Sequence, residues 1–274
     1  MKLRNGIEIP DIGYGTWKTP NDEVAISSVQ CAIECGYRHI DGAHIYKNEE
    51  MIGKAIHNCG IDRKDLFITN KVWNLYRGYE STLKALDDSL EAMGLDYFDL
   101  YLIHWPANEL GYENPRQVNR DTWQALIDAY KQGKVKAIGV SNFKIHHLEQ
   151  IMDMEIQPMV NQIKFHPGLT QDELVQYCQE HDIVVEAYSP LGRTTILENE
   201  ELKNLALKYH KTTSQISLRY ILQKGIIPLP KSVTPSRIQE NFDIFDFSIS
   251  KEDMDIIDNL KIDYVLQDSD TMRP

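Results

Sequence analysis

A carboxylate, a phenol, an ammonium and an imidazole occupy matching places along the chain: Asp41 and Tyr46 in "HIDGAHIYKNEE", Lys71 in "NKVWN" and His104 in "LIHWP". Asp41, Lys71 and His104 each stand at or close to the C-terminal end of a short apolar run, where a buried strand would stop. A tyrosine hydroxyl titrates near about 10 in water, too high for easy proton donation at neutral pH. An adjacent ammonium stabilises the phenolate and lowers that value. Lys71 could supply the ammonium, Asp41 its buried counterion, and His104 a hydrogen bond to a substrate oxygen or to the tyrosine. Taken singly, the four read as a helix cap, loop packing, a surface charge and an interior histidine. Their recurrence in successive units is what points to proton-transfer chemistry.

These side chains can meet only if the strand ends converge. Eight candidate strands run along the sequence at 12–17, 38–41, 66–73, 98–105, 136–142, 159–165, 183–189 and 226–232. Helical patterns lie between them. Leu83, Leu86, Leu90 and Met93 share one face, with Gly94 as C-cap, and Thr170 with Glu173 and Thr212 with Gln215 read as capping boxes. Alternating strands and helices call for parallel pairing, and eight units in 274 residues favour a closed (β/α)8 TIM barrel, a single domain over 1–274. Asn5-Gly6 between short alternating runs predicts a type I′ hairpin over 1–10 ahead of the barrel. The irregular stretches 105–117 and 189–200 fall after strand ends and are expected to wall a pocket, and 261–274 forms a short tail.

Composition narrows the partners. Hydrophobic residues make up 42% and charged residues 26% of the chain, an ordinary globular balance. A net charge of -12 disfavours nonspecific attraction to nucleic acid or an anionic membrane, so a phosphate-bearing ligand needs a local basic pocket. The opening "MKLRNGIEIPDIG" has no apolar signal region and no apolar run of about 20 residues occurs, so a cytoplasmic location is expected. Cys31, Cys35, Cys59 and Cys178 form neither a C-x-x-C pair nor a disulfide framework. Cys31 and Cys35, one helical turn apart, read as small residues of an amphipathic helix. His146 and His147 are adjacent and would diverge on a helix, and no H-E-x-x-H occurs, so no metal is expected.

The stretches "HIDGAHIYKNEE", "NKVWN", "LIHWP", "GVSNF", "NQIKFHP", "AYSPLG" and "LPKSVTPSRIQEN" follow one another in the order and spacing of the aldo-keto reductase family, and the chain resembles the short bacterial members over nearly its full length. That resemblance implies a catalytic tetrad of Asp41, Tyr46, Lys71 and His104 with Tyr46 as general acid. Three positions depart from the family's usual residues: Gly42 for Thr, Asn70 for Ser or Thr, and Lys164 for Glu. None removes a tetrad residue.

The Rossmann fingerprint is absent, since Lys18 stands where "GYGTWK" would need its third glycine. The resemblance places a nicotinamide cofactor at the barrel mouth instead. Ser141, Asn142 and Gln162 would meet the carboxamide, Tyr188 would stack on the ring, and Gly15, Thr16, Trp17 and Asp41 would border it. "SPLG", with Ser189, Leu191 and Gly192, would lie over the pyrophosphate. Lys231, Ser232, Val233 and Arg237 surround the helix start at Thr234-Pro235, a local basic pocket suited to the 2′-phosphate of NADPH. Glu240 and Asn241 would meet the adenine.

Trp17, His44, Tyr46, Trp73, His104 and Trp105 are expected to line a largely aromatic pocket for a small carbonyl substrate. With so short a tail, that pocket should be open, and a monomer is the default. The leading reading is an NADPH-dependent reductase of aldehydes and ketones. A cofactor-binding regulatory subunit with little turnover is the alternative, disfavoured by the intact tetrad, and a barrel hydrolase or lyase would need metal ligands or a phosphate-gripping loop.

Overall fold

The computed structural model describes residues 1–262 and 266–273. Among these, eight strands form one parallel sheet in sequence order: β1 (Gly13–Gly15), β2 (His39–Asp41), β3 (Phe67–Val72), β4 (Leu100–Ile103), β5 (Ile138–Ser141), β6 (Val160–Lys164), β7 (Val184–Tyr188) and β8 (Ile227–Leu229). The ring is drawn together where the Gly15 N–H donates to the Pro230 carbonyl at 2.9 Å. The architecture is the TIM barrel expected. Each strand falls inside its predicted span and is shorter at one or both ends, although backbone bonds such as Phe67 N–H to the Arg38 carbonyl and Asn142 N–H to the Gln162 carbonyl carry on past the strand ends.

The helices are α1 (Glu23–Cys35), α2 (Glu49–His57), α3 (Tyr79–Met93), α4 (Pro115–Lys131) and α5 (Ile145–Leu148) in the first half. The second half holds α6 (Asp172–Glu180), α7 (Glu200–Tyr209), α8 (Thr213–Gln223), α9 (Pro235–Phe242) and α10 (Lys251–Asp258). None is long and apolar enough to cross a membrane, among the described residues. Local signals explain several ends. Gly94 closes α3 in the left-handed region at φ 64°, and Thr212 and Gln215 bond reciprocally in a capping box at α8. Cys31 and Cys35 are free, half-buried and packed against the core.

Two local expectations are corrected. The N-terminal hairpin forms, with Lys2 bridging Glu8, but Asn5-Gly6 is not a type I′ turn. The Gly6 N–H bonds the Leu3 carbonyl, and Gly6 alone takes positive φ, at 89°. That is a three-residue loop whose glycine makes the bulge. Thr170 and Glu173 make no capping box either: α6 starts after Gln171 at φ 46°, and the Thr170 hydroxyl donates to Asp172 instead.

Parity along the strands decides which chemistry faces inward. His39, Asp41, Thr69, Lys71, Gln162 and Glu186 come from strands on different sides of the barrel and contact one another across its interior. Asn70, one residue off that parity, points outward to Glu49 on α2. Gly13 makes room for the interior His39, since a Cβ there would stand 2.7 Å from its Nδ1.

Candidate active site

Asp41 is the last residue of β2, Lys71 stands one residue before the end of β3, and His104 follows β4 directly. The parallel register therefore carries all three to one mouth. The Lys71 ammonium, fully buried, donates to Asp41 Oδ1 at 2.6 Å and to the Gly42 carbonyl at 2.8 Å. A charge so placed needs its partner, because desolvation would otherwise remove it. Tyr46 arrives from the short turn His44–Tyr46, with Lys71 Nζ 5.5 Å from its ring centre. The His104 ring stands edge-on to Tyr46 at 5.9 Å and to Trp73 at 5.2 Å.

Burial sets the protonation of both aromatic acids. Tyr46 is pushed well above the usual phenol range, first by burial and then by the Asp41 charge and Tyr188. Paired with Asp41 at 2.6 Å, the Lys71 ammonium does not outweigh the desolvation of the phenolate, so the hydroxyl stays raised. His104 is held well below its ordinary value by burial, Lys71 and Arg77. At neutral pH the site presents a phenol O–H and a neutral imidazole.

Above them lies a cavity of about 220 Å³. Of the expected residues, Trp17, Tyr46, Trp73, His104 and Trp105 line one part, and Ser141, Asn142, Gln162, Tyr188 and Ser189 another. His44 does not. It turns behind the barrel, with Nδ1 3.0 Å from Glu49 and its ring edge-on to Tyr76, because successive residues of the turn diverge and Tyr46 takes the inward direction. Ile45 lines the cavity in its place. Lys164, Arg193, Gln267 and Met272 were not foreseen as lining residues. Arg193 lies 4.7 Å over the Trp17 ring, so the loop after β7 reaches across the mouth. Gln267 and Met272 show that a short tail still narrows the pocket.

The tail is fastened to the barrel by hydrogen bonds and ion pairs. Ser269 donates to the Asn142 carbonyl at 2.6 Å, and Asn108 donates to the Ser269 carbonyl at 3.0 Å. Beside it His146 and His147 converge on one carboxylate oxygen of Asp270, at 2.9 and 3.0 Å. That corrects the expectation that the two diverge: α5 is one turn long, and the tail returns to meet both. The three offer one ligand atom each, all within 4.8 Å of one another. The Lys144 N–H donates to His147 Nδ1 at 3.2 Å, so Nε2 carries the ring proton toward Asp270, the reverse of the tautomer a metal at Nε2 requires. Lys144 Nζ also bonds Asp270 at 2.7 Å.

The residues expected to meet a nicotinamide cofactor stand along the mouth. Gln162 spends both amide N–H bonds inward, on Asp41 Oδ1 and Glu186 Oε2 at 2.8 Å each, which leaves its carbonyl oxygen to accept from a carboxamide. Asn142, at φ 62°, anchors to the His104 carbonyl and accepts from the Tyr188 hydroxyl at 2.8 Å, fixing the tyrosine ring at the cavity wall. The Ser141 hydroxyl donates to the Gln162 backbone carbonyl at 2.8 Å. Thr16 is buried, its hydroxyl bonded to the Asp41 carbonyl, so with Gly15 it shapes the wall from behind. The "SPLG" turn closes through Gly192 N–H to the Ser189 carbonyl, with Leu191 half-buried.

Beyond β8, Lys231 donates to the Lys18 carbonyl, and the Ser232 hydroxyl accepts from the Thr234 N–H. Pro235, the first residue of α9, carries no N–H, and the Arg237 and Ile238 N–H groups both bond the Thr234 carbonyl, so of the first turn the Ser236 N–H is the donor left for an anion. Val233 and Arg237 are exposed there. One turn on, Glu240 accepts from Thr212 and Asn241 is buried.

A parallel barrel whose strand ends gather a buried lysine–aspartate pair, a protonated phenol and a neutral imidazole beneath an aromatic cavity defines a class of barrel enzyme sites. Within that class the chain belongs to the aldo/keto reductase family, whose model matches residues 11–262. It is 52% identical to a glyoxal reductase of Bacillus subtilis over 264 residues, 96% of this chain and 93% of that protein. An aldo/keto reductase structure from Brucella melitensis is 49% identical with a TM-score of 0.89, covering 94% of this chain and 97% of that one. The aldo-keto reductase of Bombyx mori solved in complex with NADP is 36% identical with a TM-score of 0.85, over 94% and 91% of the two chains.

The three departures now have surroundings. Asn70 donates to Glu49 at 2.7 Å and accepts from the Lys71 N–H at 2.8 Å, so it ties β3 to the Glu49–His44 cluster behind the turn that carries Tyr46. A Cβ on Gly42 would meet Thr69 O at 3.5 Å, ordinary contact. Lys164 is a buried cavity residue whose ammonium is pulled down to about 8 by burial and Arg193. Sequence reasoning also missed Glu186, fully buried beneath Gln162. A carboxylate inside the apolar run "IVVEAYS", in phase with Tyr188, was the available signal.

Proposed function

We propose that this protein reduces aldehyde and ketone carbonyls to alcohols with NADPH, Tyr46 delivering the proton. The observation that carries the reading is the buried Lys71–Asp41 pair, 2.6 Å apart, set beside Tyr46 and His104 under the cavity. A carbonyl oxygen seated between Tyr46 and His104 accepts their hydrogen bonds. The high phenol pKa keeps the proton on Tyr46 until negative charge develops on that oxygen, and transfer then runs downhill to an alkoxide far more basic than phenolate. Lys71 stabilises the phenolate left behind, and Asp41 keeps Lys71 charged in its dry site. The cofactor, when bound, supplies the hydride. Gln162 and Asn142 orient its carboxamide, Tyr188 packs on the ring and fixes the face presented, and the aromatic walls exclude water. Lys231 and Arg237, with the Ser236 N–H at the start of α9, favour the 2′-phosphate; charge-assisted hydrogen bonds of this kind contribute roughly 1.5–3 kcal/mol each.

The reading is tested with a panel of aldehydes, ketones and dicarbonyls, scored by consumption of NADPH, on wild type and Tyr46→Phe. Wild type should turn over members of the panel. The Phe variant should bind NADPH normally and lose about 100- to 10,000-fold in turnover, the range for a general acid. Near wild-type rates in Tyr46→Phe would remove the tyrosine from its role, and no turnover by wild type would remove the reaction.

A further inference from the structure

Beneath the tetrad, the barrel holds a carboxyl group that the chemistry above does not use. Glu186, in the middle of β7, is fully buried. Its Oε2 accepts from Gln162 Nε2 at 2.8 Å, the same nitrogen donates to Asp41 Oδ1 at 2.8 Å, and Asp41 accepts from Lys71 Nζ at 2.6 Å. One continuous hydrogen-bonded chain therefore crosses the barrel from β7 through β6 and β2 to β3. The other oxygen, Oε1, has no hydrogen-bond partner and lies 3.7 Å from His39 Nε2. His39 bonds Thr69, and its Nδ1 is likewise unpartnered. The titratable or charged groups facing Glu186 are Asp41 and His39 from β2 and Lys71 from β3; β6 contributes Gln162 and β8 pairs through Ile227.

We infer that Glu186 is a positioning residue for the cofactor: through Gln162 it fixes the amide that holds the nicotinamide carboxamide, and by gaining or losing a proton it sets the relative affinity for the oxidised and reduced forms. The inference rests on the cofactor reading given above. Two physical steps carry it. An amide placed between two carboxyl groups turns its N–H groups toward both, so the chain determines which way Gln162 points its oxygen. A carboxyl beneath that amide changes the potential at the ring when it ionises, and the ring is neutral when reduced and cationic when oxidised.

The sign follows. Burial first, then the Asp41 charge, pushes Glu186 up to about 8, against relief from the Gln162 hydrogen bond and Lys71. Below that value it is a neutral acid and the two cofactor forms experience the same uncharged floor. Above it, a negative charge favours the cationic oxidised ring. His39, drawn down to about 3 by burial and Lys71, stays neutral throughout and cannot cancel the change. Lys164 loses its proton in the same range, so a variant that keeps Lys164 and removes only the Glu186 titration is needed.

Glu186→Gln does this with the same shape and retains an oxygen to accept from Gln162. The measurement is the dissociation constant of NADPH and of NADP⁺ at pH 6.5 and 9.0 for both proteins, by fluorescence or calorimetry. In wild type, affinity for NADP⁺ relative to NADPH should rise on the order of tenfold across this range, as for charges roughly 10 Å apart at an effective dielectric near 20. In Glu186→Gln most of that rise should vanish, while affinities at pH 6.5 match wild type. An equal pH dependence in both proteins overturns the inference. A wild type that binds neither form would instead overturn the cofactor reading. If the variant does not fold, infrared spectroscopy of wild type without cofactor decides: a buried protonated carboxyl band that disappears on raising the pH above about 8 supports the assignment, and its absence at pH 6.5 refutes it.

Discussion

The two ends of the site hold charge in opposite ways. At the tetrad, Lys71 is 0% and Asp41 4% exposed, and each is bonded within the barrel. At the start of α9, Arg237 stands in solvent and Lys231 is half-buried. The inner charges are part of the folded core and owe their ionisation to one another. The outer ones are available to a ligand and cost the fold little. One overall charge of -12 thus accommodates both a buried cation and a local basic pocket, because desolvation governs the first and proximity in water the second.

The strongest challenge to that contrast is Lys71→Met. Removing the ammonium leaves the Asp41 carboxylate buried with, among the described residues, only Gln162 to bond it, and breaking such a pair costs about 3–5 kcal/mol. Urea unfolding should show a loss of that size, with Asp41→Asn/Lys71→Met more stable than Lys71→Met alone. Turnover should fall in both, and its pH profile should move upward because the phenolate has lost its stabilising charge. A single variant as stable as wild type would show that the inner pair is not structural, and the contrast would collapse.

Arg237→Ala addresses the outer end and should do the reverse. Loss of one charge-assisted bond of roughly 1.5–3 kcal/mol should raise KM for NADPH about 10- to 100-fold, with little change for NADH. Turnover at saturation and the unfolding midpoint should stay near wild type, since an exposed side chain contributes within about 0.5 kcal/mol. Raising the salt concentration should narrow the gap between wild type and variant. Equal losses for both cofactors would show that Arg237 does not read the 2′-phosphate.

What the sequence disclosed follows the same division. The eight strands were legible because each buried strand is a short apolar run between turn residues, and the meeting of Asp41, Lys71 and His104 because parallel strand ends must converge. Side-chain direction outside regular strands was not. His44 and Tyr46 share one short turn, and only the packing of α2 and α3 shows that the first goes to Glu49 and the second to the cavity. Asn5-Gly6 failed as a type I′ turn because the three-residue loop puts the glycine, not the asparagine, in the left-handed region. Gln267 and Met272 were invisible because they reach the cavity through long-range bonds from Ser269 to Asn142 and from Asn108 to Ser269. Glu186 was legible in principle, since strand parity alone sets it beneath Tyr188.

The smallest test lies at the seam between the tetrad and the turn bearing Tyr46. Gly42 accepts from Lys71 through its carbonyl, so its backbone matters, yet its φ is not positive and an added Cβ would meet Thr69 O at 3.5 Å and Thr16 Oγ1 at 3.8 Å. Nothing there requires glycine. Gly42→Ala should therefore stabilise the protein by about 0.4–1 kcal/mol by restricting the unfolded chain, visible as a higher urea midpoint with unchanged slope. Gly13, at the start of the neighbouring strand β1 and opposite His39, is the control. A Cβ there would stand 2.5 Å from Leu229 and 2.7 Å from His39, so Gly13→Ala should destabilise by overpacking, typically about 1–3 kcal/mol. If Gly42→Ala destabilises comparably, the inner wall around Lys71 is as tightly packed as the barrel floor. If it stabilises and turnover is retained, the wall has slack next to the tetrad, and the catalytic geometry depends on the Asp41–Lys71 bond rather than on steric fit at position 42.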